Sequence, residues 1–223
     1  MEAVRGSSVI KITLHCYTIL MLTKEKLAIY RLFFGVLGLS AIATEIIVLI
    51  HRNSFVPSNF FSFFTIQSNL LASAVFLAGA VLLLRGKRQG VSEMWRGAVT
   101  LYMVVTGVIF MLLLSGLDSV PLTAMPWDNT VLHYIMPIAV LVDWIIDPPK
   151  RRIAFRKALP WLAFPITYLL YTLVRGHATE WYPYPFLNAL DKGYATVLST
   201  AIIVALFVTG MTWILTRVSK HKK

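Results

Sequence analysis

The chain is poor in the residues and motifs that carry much of the chemistry of soluble enzymes. It has 223 residues, of which only 14% are charged, and a single cysteine, Cys16. One cysteine forms no intramolecular disulfide and no cysteine-based metal site. The sequence contains no glycine-rich phosphate loop, no His-Glu-x-x-His zinc motif and no Gly-x-Ser-x-Gly elbow. Because the five histidines are also scattered, we expect neither a metal ion nor a cofactor.

Apolar residues dominate instead, at 57% of the chain. They form six runs, each near or above the ~20 residues that a helix needs to cross the hydrocarbon of a bilayer. The predicted spans lie at about 27–50, 58–84, 95–115, 129–147, 154–174 and 193–216. The sequence therefore predicts an all-α integral membrane protein, a bundle of six transmembrane helices.

One helical domain accounts for most of the chain, over residues 27–217. A poorly defined N-terminal tail at 1–26 precedes it, and Met21 in that tail would itself make a normal start. A short basic tail at 218–223 follows the domain. No internal repeat is apparent, so a single compact bundle is the expected organisation.

The charges predict how the chain is oriented. There are 21 Lys and Arg residues against 10 Asp and Glu, giving a net charge of +11. Three connections hold few basic residues, namely Arg52, Arg175 and Lys192, whereas the other connections and the chain ends hold clusters. This alternation predicts that both termini are cytoplasmic. Since the clusters fall between apolar runs, they favour a membrane protein over a nucleic-acid-binding protein. The clusters comprise Lys24, Lys26, Arg31; Arg85, Lys87, Arg88, Arg96; Lys150, Arg151, Arg152, Arg156, Lys157; and Arg217, Lys220, Lys222, Lys223.

The second span carries an unusual group of polar residues. Four phenylalanines between positions 60 and 64 are followed by Thr65, Gln67, Ser68 and Asn69. An unpartnered polar group in hydrocarbon is costly, so these side chains should face other helices or a cavity. Thr65 and Asn69 are four residues apart and share one helix face. A threonine in a membrane helix more often bonds its own backbone or packs against a neighbour than acts in catalysis.

Two further ionisable residues fall at a similar predicted depth. At 1.5 Å per residue, Thr65, His133 and Glu45 lie roughly 10, 6 and 8 Å from the outer ends of their spans. This convergence predicts a shared chamber in the outer leaflet. His133 is either functional or a neutral imidazole bonded near the interface. Glu45 could orient His133, pair with Arg52 or remain protonated. Asp143, nearer the cytoplasmic side, is expected to form a structural pair with an inner Arg or Lys.

An outer loop rich in aromatic residues follows the fifth span, at 175–187. Tyrosine and tryptophan favour the headgroup level, so an aromatic belt explains much of it. Its prolines and aromatic rings, Tyr182 among them, would also make a stiff lid over a cavity. His177 is a candidate second imidazole.

Three blocks of the sequence resemble the androgen-induced membrane hydrolase family. They read Phe-Phe-Thr-Ile-Gln-Ser-Asn-Leu-Leu at 63–71, Leu-His-Tyr-Ile-Met-Pro at 132–137 and His-Ala-Thr-Glu-Trp-Tyr-Pro-Tyr-Pro-Phe-Leu at 177–187. Their order and the six-span layout also match, so the resemblance covers about 27–216. The segment after Thr65 is more polar than in animal members, and the connection between spans three and four is shorter.

The resemblance implies a threonine-type hydrolase of lipid esters. Animal members cleave fatty acid esters of hydroxy fatty acids, and bacterial relatives are six-span proteins, so the bacterial cytoplasmic membrane is the implied location. Carried over by position, Thr65 is the nucleophile and His133 its partner. The expected ligand is a lipid or fatty-acyl ester, and nucleic acid is not an expected partner.

The expected chemistry is compatible with the residues. A neutral His133 could take the proton of the Thr65 hydroxyl, and β-branching limits the rotamers of that side chain. The amides of Gln67 or Asn69 could donate to the developing oxyanion. The surrounding phenylalanines would suit acyl chains that enter sideways from the lipid. Glu45, His177 and Tyr182 complete the set of candidate cavity residues.

A non-enzymatic six-span protein is the alternative, either a small-molecule transporter or an interaction scaffold. The same polar residues would then line a permeation path or hold helices together. A continuous polar track from His133 to Asp143 would favour transport. A closed pocket that opens only outward or sideways would favour hydrolysis.

Overall fold

The computed structural model describes residues 23–87, 90–115 and 123–219. In these ranges the secondary structure is helical and includes no β-strand. Six helices are long and apolar enough to cross a membrane, which confirms the predicted all-α six-helix fold. They are α1 (Lys24–His51), α2 (Phe64–Leu84), α3 (Glu93–Leu114), α4 (Pro126–Ile146), α5 (Phe155–Thr179) and α6 (Tyr194–Leu215).

The proposed tails fall largely outside the described residues. Of the predicted N-terminal tail 1–26, only residues 23–26 are described, and Lys24–Lys26 belong to the first turn of α1. The side chain of Thr23 caps this turn by accepting a hydrogen bond from the Lys26 N–H. Of the predicted basic tail 218–223, only residues 218 and 219 are described.

Side-chain contacts define two ends of the bundle. At the Thr65 end, the first turns of α2 and α4 meet through Thr65 and His133. At the Asp143 end, the first turns of α1 and α3 meet the last turns of α4, through Arg31 and Arg96 against Asp143. Successive helices therefore run in opposite directions, as six crossings of one membrane require.

Burial separates inner from outer helices. Helix α3 is buried over most of its length and packs against α2 and α4, while α1 packs along α2. Helices α5 and α6 are mostly exposed. Large apolar side chains such as Ile203 and Leu206 on α6 are more than two-thirds exposed, at 68% and 69%. Such an apolar surface is stable in contact with lipid, whereas its exposure to water is unfavourable.

The predicted second span is interrupted, and this corrects the predicted depth of Thr65. A separate short helix covers Pro57–Phe60, and α2 begins only at Phe64, after Phe63 in an extended conformation (φ −76°, ψ 128°). Thr65 is thus the second residue of α2 rather than about seven residues inside a continuous span. The break is stabilised by Ser62, whose hydroxyl donates to the Ser58 carbonyl at 2.6 Å.

The predicted fifth span is too short at its C-terminal end. Helix α5 continues to Thr179, so His177 lies in its last turn and not in a loop. It ends where Glu180 adopts a left-handed conformation with φ 56°. A residue in this conformation is a common helix terminator, although glycine usually occupies the position.

The pairing predicted for Asp143 is confirmed. Its carboxylate binds Arg31 Nε at 2.7 Å and Arg96 Nη2 at 2.7 Å. Asp147 contacts the same two guanidinium groups at 2.9 and 3.2 Å. Arg31 and Arg96 are buried, so these two members of the basic clusters form a neutral network with the aspartates inside the bundle.

Gly97 lets α3 approach the tryptophans of its neighbours. A Cβ atom at this position would overlap the ring of Trp161 and crowd that of Trp144. We expect Gly97→Ala to lower the free energy of unfolding by about 1–3 kcal/mol, because rigid indole rings accommodate added volume poorly. Thermal unfolding in detergent measures this. Gly210→Ala is the control, since nothing lies within 4 Å of its added Cβ; equal behaviour of the two variants would contradict the packing explanation.

Candidate active site

Thr65 and His133 are brought together by the first turns of α2 and α4. The Thr65 Oγ1 atom lies 3.3 Å from His133 Nε2, and both residues are buried. The other ring nitrogen, Nδ1, lies 3.2 Å from the carbonyl oxygen of Asn129. A carbonyl only accepts hydrogen bonds, so Nδ1 carries the proton of the neutral ring and Nε2 accepts from Thr65.

Irregular turns in two helices hold the imidazole in place. His133 lies in a π-helical turn of α4, Val131–Ile135, in which the Met136 N–H bonds back to the Val131 carbonyl. A second π-helical turn, Phe110–Leu114, ends α3. The Phe110 ring stacks on His133 with centroids 3.9 Å apart and planes at 21°. Such turns are rare in proteins as a whole, but those that occur often lie at functional sites.

Proline chemistry gives one local reason for the turn in α4. Pro137 stands four residues after His133 and has no N–H to donate to the His133 carbonyl, so the regular helical hydrogen bond is missing there. Gly107 on α3 allows close packing at this point: a Cβ on Gly107 would lie 3.0 Å from Pro137 Cβ and 3.4 Å from the His133 oxygen.

Tyr184 contacts Thr65 from the segment between α5 and α6. Its hydroxyl oxygen lies 3.2 Å from Thr65 Oγ1 and accepts a hydrogen bond from the Thr65 N–H at 3.2 Å. Burial raises the pKa of Tyr184 above its ordinary value, so the phenol is protonated at neutral pH. Its proton points to Thr65 Oγ1 when the Thr65 hydroxyl donates to His133. One directed chain of hydrogen bonds therefore runs from Tyr184 through Thr65 to His133 and Asn129.

Two cavities meet at Thr65. One has a volume of about 210 Å³ and is lined by polar groups of Glu45, Asn59 and His133 among other residues. The other, of about 160 Å³, lies between α3, α5 and α6 and is mostly apolar. Thr65 and Tyr184 line both cavities. Thr65, His133 and Glu45, for which the sequence predicts a shared chamber, all border the polar cavity.

Glu45 contacts a loop rather than the imidazole. Both of its carboxylate oxygens accept from the Ala124 N–H, at 2.9 and 2.8 Å. The orienting contact to His133 comes from the Asn129 carbonyl instead. The carboxyl of Asp128, which is fully buried, lies beside Glu45. Asp128 was not a predicted site residue, since it precedes the predicted fourth span at 129–147, whereas α4 begins at Pro126.

The two predicted amide donors are engaged elsewhere. The Asn69 amide donates to the carbonyls of Thr65 and Leu132, at 2.9 and 3.1 Å, and thereby joins α2 to α4. The Gln67 amide donates to the Phe61 carbonyl at 2.8 Å. Gln67 and Asn69 line neither of the two cavities. In this arrangement Asn69 positions Thr65, and Gln67 fixes the turn before α2.

The aromatic segment covers the site with a different tyrosine from the one predicted. His177 is exposed, and its Nδ1 lies 3.2 Å from the Tyr194 hydroxyl. The Tyr182 ring packs against Gly176, where any Cβ would overlap it. Neither residue lines the two cavities, whereas Tyr184 lines both. Tyr182 and Tyr184 alternate with prolines in the sequence, and no local pattern distinguishes which ring turns inward.

No protein-family model matches this chain, and neither a curated protein nor a solved structure does. In the part of the chain that the structure describes, no group of three or more His, Cys, Asp or Glu side chains could hold a metal ion. The function is therefore inferred from the geometry around Thr65.

Proposed function

We propose that this protein is an integral membrane hydrolase that cleaves a lipid acyl ester through an acyl-Thr65 intermediate. The observation that carries the proposal is the distance of 3.3 Å between Thr65 Oγ1 and His133 Nε2. A threonine hydroxyl is a weak nucleophile and needs a neighbouring base within hydrogen-bond reach. The resemblance to androgen-induced membrane hydrolases proposes the same pair.

Acylation begins when Thr65 Oγ1 attacks the ester carbonyl carbon while its proton moves to His133 Nε2. The new bond between Oγ1 and the carbonyl carbon forms, and the carbonyl oxygen becomes an oxyanion. Collapse of this intermediate breaks the bond to the alcohol oxygen, which takes the proton from His133 Nε2. The products of this half-reaction are the free alcohol and the acyl-threonine ester.

Deacylation uses the same groups in reverse. A water molecule in the polar cavity gives one proton to His133 Nε2 as its oxygen attacks the acyl carbon. Cleavage of the bond to Oγ1 then releases the carboxylic acid, and the proton on Nε2 returns to Thr65. The net reaction is ester plus water to acid plus alcohol.

Two features support stabilisation of the oxyanion at this position. Thr65 is the second residue of the 21-residue helix α2, so it lies at the N-terminal end of the helix dipole. The helix dipole favours negative charge there. The Tyr184 hydroxyl is the second feature: it lies 3.2 Å from Oγ1 and can turn its proton to the neighbouring oxyanion once Oγ1 is bonded to the acyl carbon. A preorganised donor of this kind is a large contributor to acyl-transfer catalysis.

The proposed location is the bacterial cytoplasmic membrane, with both termini inside and the Thr65 end toward the outer side. The remaining basic residues at the Asp143 end support this orientation by the positive-inside rule. Water outside the cell would then supply the polar cavity.

The core below His133 favours hydrolysis over transport. Between His133 and Asp143, α4 turns the buried apolar side chains of Met136, Ala139 and Val140 inward. Both described cavities lie at Thr65, and neither is lined by Asp143. A permeation path would need a continuous cavity through this level, and neither of these two cavities extends to Asp143.

Labelling with a fluorophosphonate probe tests the proposal. The purified full-length protein is treated with the probe, digested and analysed by mass spectrometry. We expect one adduct, on the peptide that carries Thr65, and we expect a lipid ester to compete with its formation. An adduct confined to another peptide would reject Thr65 as the nucleophile, and no adduct together with no ester turnover would reject the hydrolase.

Removing the Tyr184 hydroxyl should slow catalysis without changing the fold. We expect Tyr184→Phe to lower kcat by about 10²–10³-fold with little change in KM, as for loss of one oxyanion donor. The ring itself is retained and still stacks on Phe186. Tyr30→Phe is the matched control, because it also removes a tyrosine hydroxyl, bonded to the Ala139 carbonyl. Equal kcat values for the two variants would exclude Tyr184 as the donor.

A further inference from the structure

The two cavities that meet at Thr65 differ in chemistry, and we infer from this difference how the ester lies in the site. The acyl chain occupies the apolar cavity between α3, α5 and α6, and a small polar alcohol occupies the polar cavity. The substrate class is thus an ester with a long acyl chain and a small hydroxylated head group. This inference rests on the proposed function, which fixes the ester carbonyl at Thr65.

The walls of the apolar cavity suit a hydrocarbon chain. No charged side chain lines it, and the lining side chains on α3 and α5 are almost all aliphatic or aromatic. Along α6 the lining residues run from Thr200 to Thr209. Nine residue steps at a rise of 1.5 Å correspond to about 13 Å along the helix, so the cavity extends well away from the Thr65 hydroxyl. Two alanines in this stretch, Ala201 and Ala205, leave room for the chain.

The position of the cavity gives it access to lipid. It lies between the two most exposed helices, and α6 contacts α5 chiefly over residues 155–162, at the Asp143 end. Ile166 on α5 lines the cavity and is also 55% exposed, so the cavity wall reaches the outer surface of the bundle. Within the hydrocarbon region, a lipid chain is the molecule available to enter sideways.

The polar cavity suits the other half of the ester. Glu45, Ser54, Asn59 and Thr123 contribute hydrogen-bonding groups to its wall. A wall with these groups suits a hydroxylated head group and water, whereas a second hydrocarbon chain there would bury them without hydrogen-bond partners. An alcohol released here is also on the side of His133, which supplies its proton.

Two esters with opposite polarity test this orientation. Monodecanoylglycerol carries its long chain on the acyl side, whereas decyl acetate carries a chain of equal length on the alcohol side. For the full-length protein in detergent, we expect kcat/KM to favour monodecanoylglycerol by about tenfold for every two methylenes that gain burial. A preference for decyl acetate would overturn the inference.

A variant that fills the cavity locates the chain. Ala201→Trp should lower the ratio of decanoyl to butanoyl glycerol turnover by about tenfold or more, because several methylenes lose their burial. Ala195→Trp is the matched control, with the same substitution on α6 at an exposed residue outside both cavities. An unchanged ratio in Ala201→Trp would overturn the inference. The ratio is insensitive to the fraction of folded protein, and Ala205→Trp repeats the test if Ala201→Trp does not fold.

Photo-crosslinking separates failure of the site from failure of the proposed function. A fatty acid with a diazirine at the end of its chain needs no hydrolysis to bind. We expect its adducts on α3, α5 and α6 peptides and expect the Ala201→Trp substitution to reduce them. Crosslinks there without ester turnover would support the chain site and reject the hydrolase. Ester turnover with crosslinks confined to α1 and α2 would support the hydrolase and reject the chain site.

Discussion

Thr65→Ala and His133→Ala are each expected to remove most ester hydrolysis, and the double variant is expected to lose no more than Thr65→Ala alone. Loss of His133 removes general-base catalysis, which typically contributes about 10²–10⁴-fold. Loss of Thr65 removes the covalent route itself, so its effect should be at least as large. Groups that act as one unit show such non-additive losses.

The wild type, the two single variants and the double variant are compared by kcat/KM for one lipid ester in the same detergent. Thermal unfolding checks that each variant is folded. Thr100→Ala and His51→Ala serve as controls. Thr100 is a buried threonine bonded to the Arg96 carbonyl, and His51 is an exposed histidine bonded to the Ile47 carbonyl. We expect both controls to retain activity. Losses that multiply in the double variant would mean that Thr65 and His133 act independently and would contradict the mechanism.

Asp143→Ala is expected to destabilise the protein by about 3–5 kcal/mol, the usual cost of breaking a buried ion pair on one side. The carboxylate of Asp143 binds both Arg31 and Arg96 at 2.7 Å, and its side chain is 5% exposed. Its removal leaves two buried guanidinium groups to share Asp147. Desolvated charge without a partner is costly in a bilayer.

Unfolding by a denaturing detergent, followed by tryptophan fluorescence, measures this loss. Asp191→Ala is the control, because Asp191 is exposed, and such surface changes usually stay within about ±0.5 kcal/mol. The ion network lies at the opposite end of the bundle from Thr65. The folded fraction of Asp143→Ala should therefore keep its fluorophosphonate labelling. A stability equal to that of Asp191→Ala would show that the network contributes little.

The sequence by itself determined the number of spans and several residue contacts. Span number depends on the length of apolar runs, which is a local property. A constant rise per residue placed Thr65, His133 and Glu45 toward the same end of the bundle, although the depth predicted for Thr65 was wrong because α2 begins at Phe64. A partner for Asp143 followed because a buried charge needs one. All of these inferences use regular helix geometry and the cost of burying charge.

Tertiary structure decided the features that depend on irregular backbone. Helix α2 starts at Phe64 because the turn before it is held by a hydrogen bond from another helix. The Tyr168 hydroxyl on α5 donates to the Ser62 carbonyl at 3.0 Å. His133 lies in a π-helical turn, and propensity does not predict such a turn. The choice of Tyr184 over Tyr182 depends on how the segment after α5 folds back.

The two cavities are the clearest case of what only packing decides. Each is a space between helices far apart in the chain, and its shape depends on the angles and distances at which those helices pack. The resemblance and the phenylalanines around Thr65 predicted that acyl chains could enter sideways, but they did not place an apolar cavity between α3, α5 and α6. The packing of all six helices determines which side chains border Thr65. No local rule of sequence sets the volume that is left between packed helices.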